Sequence, residues 1–573
     1  MTDTAVARVC AAFRRLDELA GTEHARPEAW VTLRDRSRVL HDAESVDRRL
    51  ARGERLPLAG MVIAVKNNID VAGLPTTCGS RSRMVVPSRS ATVVARVVES
   101  GAVVLGTTSM DQFATGVVGT RSAFGAVRSV SDPNRIAGGS SSGSAVVVAQ
   151  GIVDAALSTD TAGSGRVPAA LNGIVGIKPT RGLLPLTGVV PASPSFDVVG
   201  VLARDVGTAQ RCAAVMCGPD ADDPASRCWP ENAPHGAPAT PRVGVPTPGD
   251  LDGMDPGHRQ AFADAVSSAA ARGAELVTVD IAGLLAVGQM LYGSGIVAER
   301  SAAFGEEFAT ISDPDPAVLD VIERGRGISA VDYLRDMRAM REQAARAVRV
   351  FETIDALMLP TVGEHPTIAD TAADPAEVNA RMGRFTTFAN LADLSAIAVP
   401  MGSCPNGSSF GVTFLAPAFH DAVVAEIAQR LSGRSVSRQW TPPLRNIIVF
   451  GAHRRGQPLH YQIADRGGEF AGIVRTAPEY SMLALDTEPM KPAVLHTGQA
   501  AIVGERWLLR PAALAAFVDD VEYPMTLGKV RLDNGEEVLG FVVEPRALHG
   551  EDITADGNWL VHLARKDRGR VEV

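Results

Sequence analysis

The sequence predicts an α/β protein: a large domain on a mixed, mostly parallel central sheet covered by helices, then a smaller α+β domain. Three observations carry this. Short apolar runs alternate with helical stripes from Leu56 to beyond residue 200, the pattern of a sheet covered on both faces. The pattern breaks at 433–444, GRSVSRQWTPPL, with its Pro442-Pro443 pair. Beyond it, short strand-like runs dominate, and Asp533-Asn534-Gly535 between two of them is a hairpin signal. The predicted organisation is therefore 1–432, opening with a helical segment at 1–50, then a linker at 433–444, then 445–573.

Element by element, Val6, Val9, Cys10, Phe13 and Leu16 form one apolar stripe at helical spacing. That stripe suits packing on the body of the protein or a subunit contact, and it makes a homodimer an expectation. Met61 to Val65 is an apolar run ending in Lys66 and reads as a buried strand. Gly73 to Arg83 reads as a loop. Ser90 is placed to cap a helix reaching Ser100, with Gly101 as its stop, and Ala102 to Leu105 is a second strand. In the C-terminal part, Ile447–Phe450, Ala500–Leu509, Leu527–Arg531 and Glu537–Val543 read as strands. The stretches 218–242 and 362–376, rich in Pro, Asp and Ala, read as surface loops.

Composition narrows the function. Lys plus Arg is 56 against 65 Asp plus Glu, a net charge of −9. This acidic balance argues against nucleic-acid binding, which needs clustered cations. No apolar run approaches the roughly 20 residues of a membrane span, and the N-terminus lacks the pattern of a secretory leader. The six cysteines include no C-x-x-C pair, so free thiols in a reducing cytoplasm are expected and no metal site is predicted.

Chemistry concentrates in residues 138–182. Gly138-Gly139-Ser140-Ser141-Ser142-Gly143-Ser144 opens an apolar helix, and Asp160-Thr161-Ala162-Gly163-Ser164-Gly165-Arg166 follows a strand-like run. Small residues let a backbone turn sharply, and consecutive N–H groups on such a loop can stabilise an oxyanion. The stretch has no G-x-x-x-x-G-K-[ST] phosphate loop and no G-x-S-x-G elbow around Ser164.

GGSSSGS, DTAGSGRVPAA, GIKPTRG and VIAVKNNID together resemble the amidase signature family across most of residues 50–430. The resemblance implies a Ser–Ser–Lys triad. Ser164 would be the nucleophile, Ser140 the bridging serine after a cis Gly139–Ser140 bond, and Lys66 the base. The oxyanion donors would be the backbone N–H groups of Thr161, Ala162, Gly163 and Ser164. The residue types fit the chemistry: a serine hydroxyl needs a base within reach, and a lysine serves only if its pKa falls. Asp160 and Arg166 are expected to hold the loop by hydrogen bonds. No metal or organic cofactor is implied.

MLYGSGIVAER, residues 290–300, looks like the substrate segment of the allophanate hydrolase branch, where Tyr292 and Arg300 would contact a small anionic amide. A guanidinium pairs with a carboxylate in two-pronged fashion. Asp111 and Gly116 are expected in the pocket wall. GAHRRGQPLHYQI, RTAPEYSMLAL and DITADGNW resemble that branch's extra C-terminal domain, similar in fold to γ-glutamyl cyclotransferases. There His453 is the expected acid/base, with His460 and Tyr461 as weaker candidates. One departure is Ser193-Pro194-Ser195-Phe196-Asp197-Val198, where a Cys-containing stretch is expected. No A-M-K-M biotin motif occurs, since Met490-Lys491-Pro492 is not one. A separate urea carboxylase or a biuret-degrading enzyme is thus the expected supplier of allophanate. The alternatives are an amidase for another small amide, biuret-like or glutamine, and a non-catalytic binding protein on the same fold.

Overall fold

The computed structural model describes residues 4–230, 232–441, 444–523, 525–543 and 550–569. They form two compact units, Met1–Trp229 with Pro234–Thr441, and Pro442–Val573 with Pro230–Ala233. Through Thr441 the stretch expected as a linker belongs to the first unit, because Trp440 is buried and stands edge-on to Trp229 at 5.6 Å.

The first unit is built on eleven strands: β1 (Trp30–Leu33), β2 (Val62–Lys66), β3 (Val103–Thr108), β4 (Ala155–Thr159), β5 (Val175–Lys178), β6 (Val199–Ala203), β7 (Arg242–Pro246), β8 (Glu275–Val279), β9 (Ala356–Pro360), β10 (Ser395–Ser403) and β11 (Ser409–Ala416). Their order in the sheet is β1-β3-β2-β4-β6-β5-β10-β11-β9-β7-β8. Residues of β2, β3, β4 and β6 are buried on both faces, which is why these strands read as unbroken apolar runs instead of alternating ones.

The sheet is mixed, but the expected parallel majority is corrected: six of its ten neighbouring pairs are antiparallel. The helix Arg166–Leu171 carries the chain from β4 to β5, as a strand–helix–strand pattern requires, yet β6 slots between them antiparallel to both. β10 returns as β11 through a short turn in which Gly407 has φ 83°. Local periodicity marks a crossover but not which later strand enters the gap it leaves.

The N-terminal stripe is used within the unit. Val9 and Phe13 of the helix Ala5–Leu19 are buried, and the helix packs on Arg36–Ala51 and β2. Cys10 lies on the exposed side, Ala5 and Ala12 take inner positions, and Val6 and Leu16 are half-buried. The segment 1–50 also holds a strand, β1, that periodicity did not reveal. Ser90 lies before the helix Thr92–Glu99 and bonds Ala72 instead of capping it. Within 362–376 the chain forms the short helix Ile368–Ala373, started by a Thr367–Asp370 capping box.

β3, β2 and β4 are mutually parallel and end together at Thr108, Lys66 and Thr159. This edge is where an open α/β sheet places its chemistry.

The second unit has a five-stranded sheet, order β13-β16-β12-β18-β17, and a three-stranded one, β15-β14-β19. The strands are β12 (Arg445–Val449), β13 (Glu469–Arg475), β14 (Tyr480–Leu485), β15 (Lys491–Ala500), β16 (Val503–Leu509), β17 (Met525–Arg531), β18 (Glu537–Val543) and β19 (Gly550–Asp552). β17 and β18 form the hairpin read at Asp533-Asn534-Gly535, with Arg531 opposite Glu537 and Gly535 at φ 83°.

Candidate active site

Lys66 ends β2 with no exposed surface, and its Nζ lies 2.7 Å from Ser140 Oγ, 2.7 Å from Thr159 Oγ1 and 3.4 Å from the Thr159 carbonyl. Ser140 follows a cis peptide bond with Gly139 and leads directly into the helix Ser142–Ala149. Burial pushes the Lys66 ammonium down to about 7, against the pull of Asp111, Asp160 and Asp197, which favour its charged form. A neutral amine is thus accessible near neutral pH. If Lys66 is the base, amide hydrolysis should rise with pH through an acid limb near 7; a flat profile from pH 5.5 to 8.5 would contradict this.

Ser164 sits in the turn before the helix Arg166–Leu171. Its hydroxyl donates to the Gly116 carbonyl at 3.3 Å and not to Ser140, while the Ser164 carbonyl accepts from the Ser141 N–H at 3.1 Å. The Ser164 loop is thus tied through its backbone to Ser141, the residue after Ser140. Catalytic hydrogen bonds commonly tighten only around substrate.

Of the four N–H groups expected as oxyanion donors, Gly163 is excluded: it donates to Asp160 Oδ1 at 2.8 Å. Thr161, Ala162 and Ser164 donate to no acceptor among the described residues. Gly163 has another duty. At φ 118° it faces Thr386, whose Oγ1 would lie 2.2 Å from any added Cβ, so only glycine fits.

The loop is pinned by groups far away in sequence. Asp160 accepts two bonds from the Arg166 guanidinium, both at 2.9 Å, and neither side chain reaches solvent. Burial alone would raise the Asp160 pKa; the Arg166 charge and its hydrogen bonds outweigh it and hold the carboxyl below its ordinary value. Thr386 Oγ1 bonds the Ala162 carbonyl at 2.8 Å, and Asn390 Nδ2 bonds the Asp160 carbonyl at 2.6 Å. Asp197 accepts from Thr161 Oγ1 at 2.5 Å and from the Ala192 N–H at 2.8 Å. Sequence reading missed Thr386, Asn390 and Asp197 as site residues; its one available signal was polar side chains inside the apolar segment around FTTFANL. Removing one partner of a buried pair strands the other charge, so Asp160→Asn should destabilise the protein by about 3–5 kcal/mol in denaturant unfolding. A loss below about 1 kcal/mol would refute that role.

Asp111 forms the wall's frame without projecting into it. It is fully buried and accepts from the Gly119 and Arg121 N–H groups at 3.0 and 2.9 Å. Gly116 contributes its carbonyl to Ser164, and a Cβ there would approach Asp111 Oδ2 at 3.0 Å.

Arg300 is 1% exposed, and its guanidinium bonds Tyr292 Oη at 2.9 Å and Thr115 Oγ1 at 3.0 Å. Its Nε has no hydrogen-bond partner among the described residues, and its charge acts on the buried Asp197 carboxylate without a direct ion pair. Thr115, which holds Arg300, and Gly116, which holds Ser164, are consecutive residues, so one short segment contacts both side chains. Ala162, Val117, Tyr292, Gln289, Asn379 and Thr387 line a cavity of ≈ 450 Å³.

In the second unit, His453 lies in the loop after β12 beside a cavity of ≈ 220 Å³ shared with Gln462, Lys491, Glu522 and Phe541. Its ring stacks on Phe541 at 4.9 Å, and Nε2 is 2.8 Å from Gln462 Oε1. Burial lowers its pKa to about 4, partly opposed by the Gln462 bond and reinforced by Lys491. Burial thus holds His453 in its neutral form near pH 7, with Nε2 donating to Gln462 Oε1. His460 instead leans on Trp507 at 5.1 Å, while Tyr461 lines the cavity but is largely exposed. Among the described residues, no cluster of three or more His, Cys, Asp or Glu could hold a metal ion.

Comparison with known families decides the lineage: the amidase family pattern matches residues 19–424. The chain belongs to the amidase family. Behind this amidase region, the allophanate hydrolase C-terminal domain matches 445–564. The amidase chain is 36% identical to the urea amidolyase of Lachancea kluyveri over 93% of its own length, but spans 31% of that protein, about a third. The structure of Kluyveromyces lactis allophanate hydrolase is similar over 98% of this chain and 97% of the other, at 32% identity and a TM-score of 0.79. The amidase region alone is also similar to a glutamyl-tRNA(Gln) amidotransferase component of Haloarcula marismortui, 33% identical over 66% of this chain and 96% of that one.

Proposed function

We propose that this amidase hydrolyses allophanate, urea-1-carboxylate, through an acyl-enzyme on Ser164. The observation that carries the proposal is Arg300: a buried guanidinium without an ion-pair partner among the described residues, tied through Thr115–Gly116 to the nucleophile. Asp197 lies in the field of this cation but makes no ion pair with it, and an arginine held only by neutral hydroxyls is well matched to a substrate carboxylate.

The residues then divide the work. Arg300 and Tyr292 hold the carboxylate. Ser164 attacks the terminal carbonyl as its proton passes through Ser140 to Lys66, and the oxyanion forms against the N–H groups of Thr161, Ala162 and Ser164. The same relay protonates the departing ammonia. Water then releases N-carboxycarbamate, which loses one carbon dioxide to give carbamate and a second to give the second ammonia. His453, neutral and beside its own cavity, is the proposed acid/base of that later step. Similarity to urea amidolyase supports coupling to a urea carboxylase, with biuret hydrolysis as the other source of allophanate. Six unpaired cysteines fit a reducing cytoplasm.

The second reading, a glutamine amidase, is favoured by the amidotransferase relative, whose similarity covers only the amidase region. Product yield tests the proposal: each allophanate should give two ammonia and two bicarbonate. A protein that forms neither from allophanate would overturn it.

A further inference from the structure

We propose that Thr159 sets the basicity of Lys66, as a positioning residue whose hydroxyl and carbonyl supply two of the three acceptors the lysine ammonium needs. An ammonium has three hydrogens and accepts nothing. Among the described residues, three oxygens accept from Lys66 Nζ: Ser140 Oγ at 2.7 Å, Thr159 Oγ1 at 2.7 Å and the Thr159 carbonyl at 3.4 Å. Lys66 has no exposed surface, so these protein oxygens are what surrounds its Nζ.

The arrangement follows from topology. β2 and β4 are parallel neighbours that end at Lys66 and Thr159, so the last residue of one strand receives the last side chain of the other. Asn68, just past β2, fixes the hydroxyl: its Nδ2 donates to Thr159 Oγ1 at 3.3 Å and to the Val190 carbonyl at 3.2 Å.

The charged and titratable groups facing Lys66 are Asp111, Asp160, Asp197 and the buried Cys78 thiol. Each carboxylate is already engaged elsewhere, with Gly119 and Arg121, with Arg166, and with Thr161 and Ala192 respectively. None is within hydrogen-bond distance of Nζ, so they act on it through their field. Among the described residues, Thr159 alone joins Ser140 in hydrogen-bonding Nζ. When Ser140 receives the Ser164 proton and passes its own to Nζ, the O–H bond breaks, the N–H bond forms, and the third hydrogen finds the cradle complete.

The inference rests on the triad reading but not on the substrate, so its test uses the nucleophile itself. Sulfonylation of Ser164 by phenylmethylsulfonyl fluoride, followed by intact mass across pH 5–9, reads the basicity of Lys66. Thr159→Val should move the acid limb down by about one to two pH units, since a hydrogen bond to a charged group is lost. The plateau rate should fall at least ~10-fold because a weaker base transfers the proton less well. Thr159→Ala removes the same oxygen without added bulk and carries the same expectation if the valine variant does not fold. Thr159→Ser should restore the native limb. An unmoved limb in the folded Val or Ala variant, or a serine variant behaving like valine, overturns the role of Thr159. Lys66→Ala labelled as fast as the native protein would instead overturn the triad, and the inference with it.

Discussion

Ser164→Ala should lower amide hydrolysis at least ~10⁴-fold while the protein stays folded. The Ser164 hydroxyl makes one hydrogen bond, 3.3 Å to the Gly116 carbonyl. Its loop is held independently, by the Asp160–Arg166 pair, by Thr386 on the Ala162 carbonyl and by Asn390 on the Asp160 carbonyl. Losing the hydroxyl should therefore cost under about 1 kcal/mol of stability, the usual range for a weak hydrogen bond. Groups that act as a unit are not additive, so Ser164→Ala combined with Lys66→Ala should be no slower than the serine variant alone. Steady-state ammonia release on the three proteins checks this. Near-native turnover by Ser164→Ala would remove the nucleophile, and a further large loss in the double variant would mean that Lys66 works on another path.

Arg300→Ala should cut kcat/KM for a carboxylate-bearing amide by about 10²–10³-fold, mostly through KM, as expected when one partner of a buried charge-assisted pair is removed. The guanidinium is fixed from both sides, by Tyr292 and Thr115, and its Cζ lies 4.9 Å from the Tyr292 ring centroid. That fork is geometric, so Arg300→Lys should recover little of the loss. A neutral amide that cannot use the cation should be hydrolysed at much the same rate by both forms. Equal losses on charged and neutral amides would make Arg300 a structural group instead of a substrate anchor.

What the sequence disclosed here depended on range. Lys66, Ser140 and Ser164 stand in short stretches of small or apolar residues whose pattern is local, and the hairpin at 533–535 is local as well. The partners that give those residues their properties are not. Thr159 reaches Lys66 only because β2 and β4 pair in parallel. Asp197, Thr386 and Asn390 reach the nucleophile loop from much later segments. The antiparallel entry of β6 between β4 and β5 was hidden for the same reason: periodicity reports that a strand is buried, not which neighbour buries it. The Gly163 N–H shows the limit most clearly. Its place in the motif suggested an oxyanion donor, and a carboxylate three residues earlier takes it.

The central claim is that a small anionic amide is this chain's substrate and that Arg300 selects it. The most direct measurement is kcat/KM for allophanate, biuret, glutamine and acetamide on the same preparation, read as ammonia release. The account predicts allophanate ahead of every other amide by at least ~100-fold, the discrimination available to a site whose buried cation goes unpaired with the wrong substrate. Glutamine or acetamide turned over as efficiently as allophanate would contradict it.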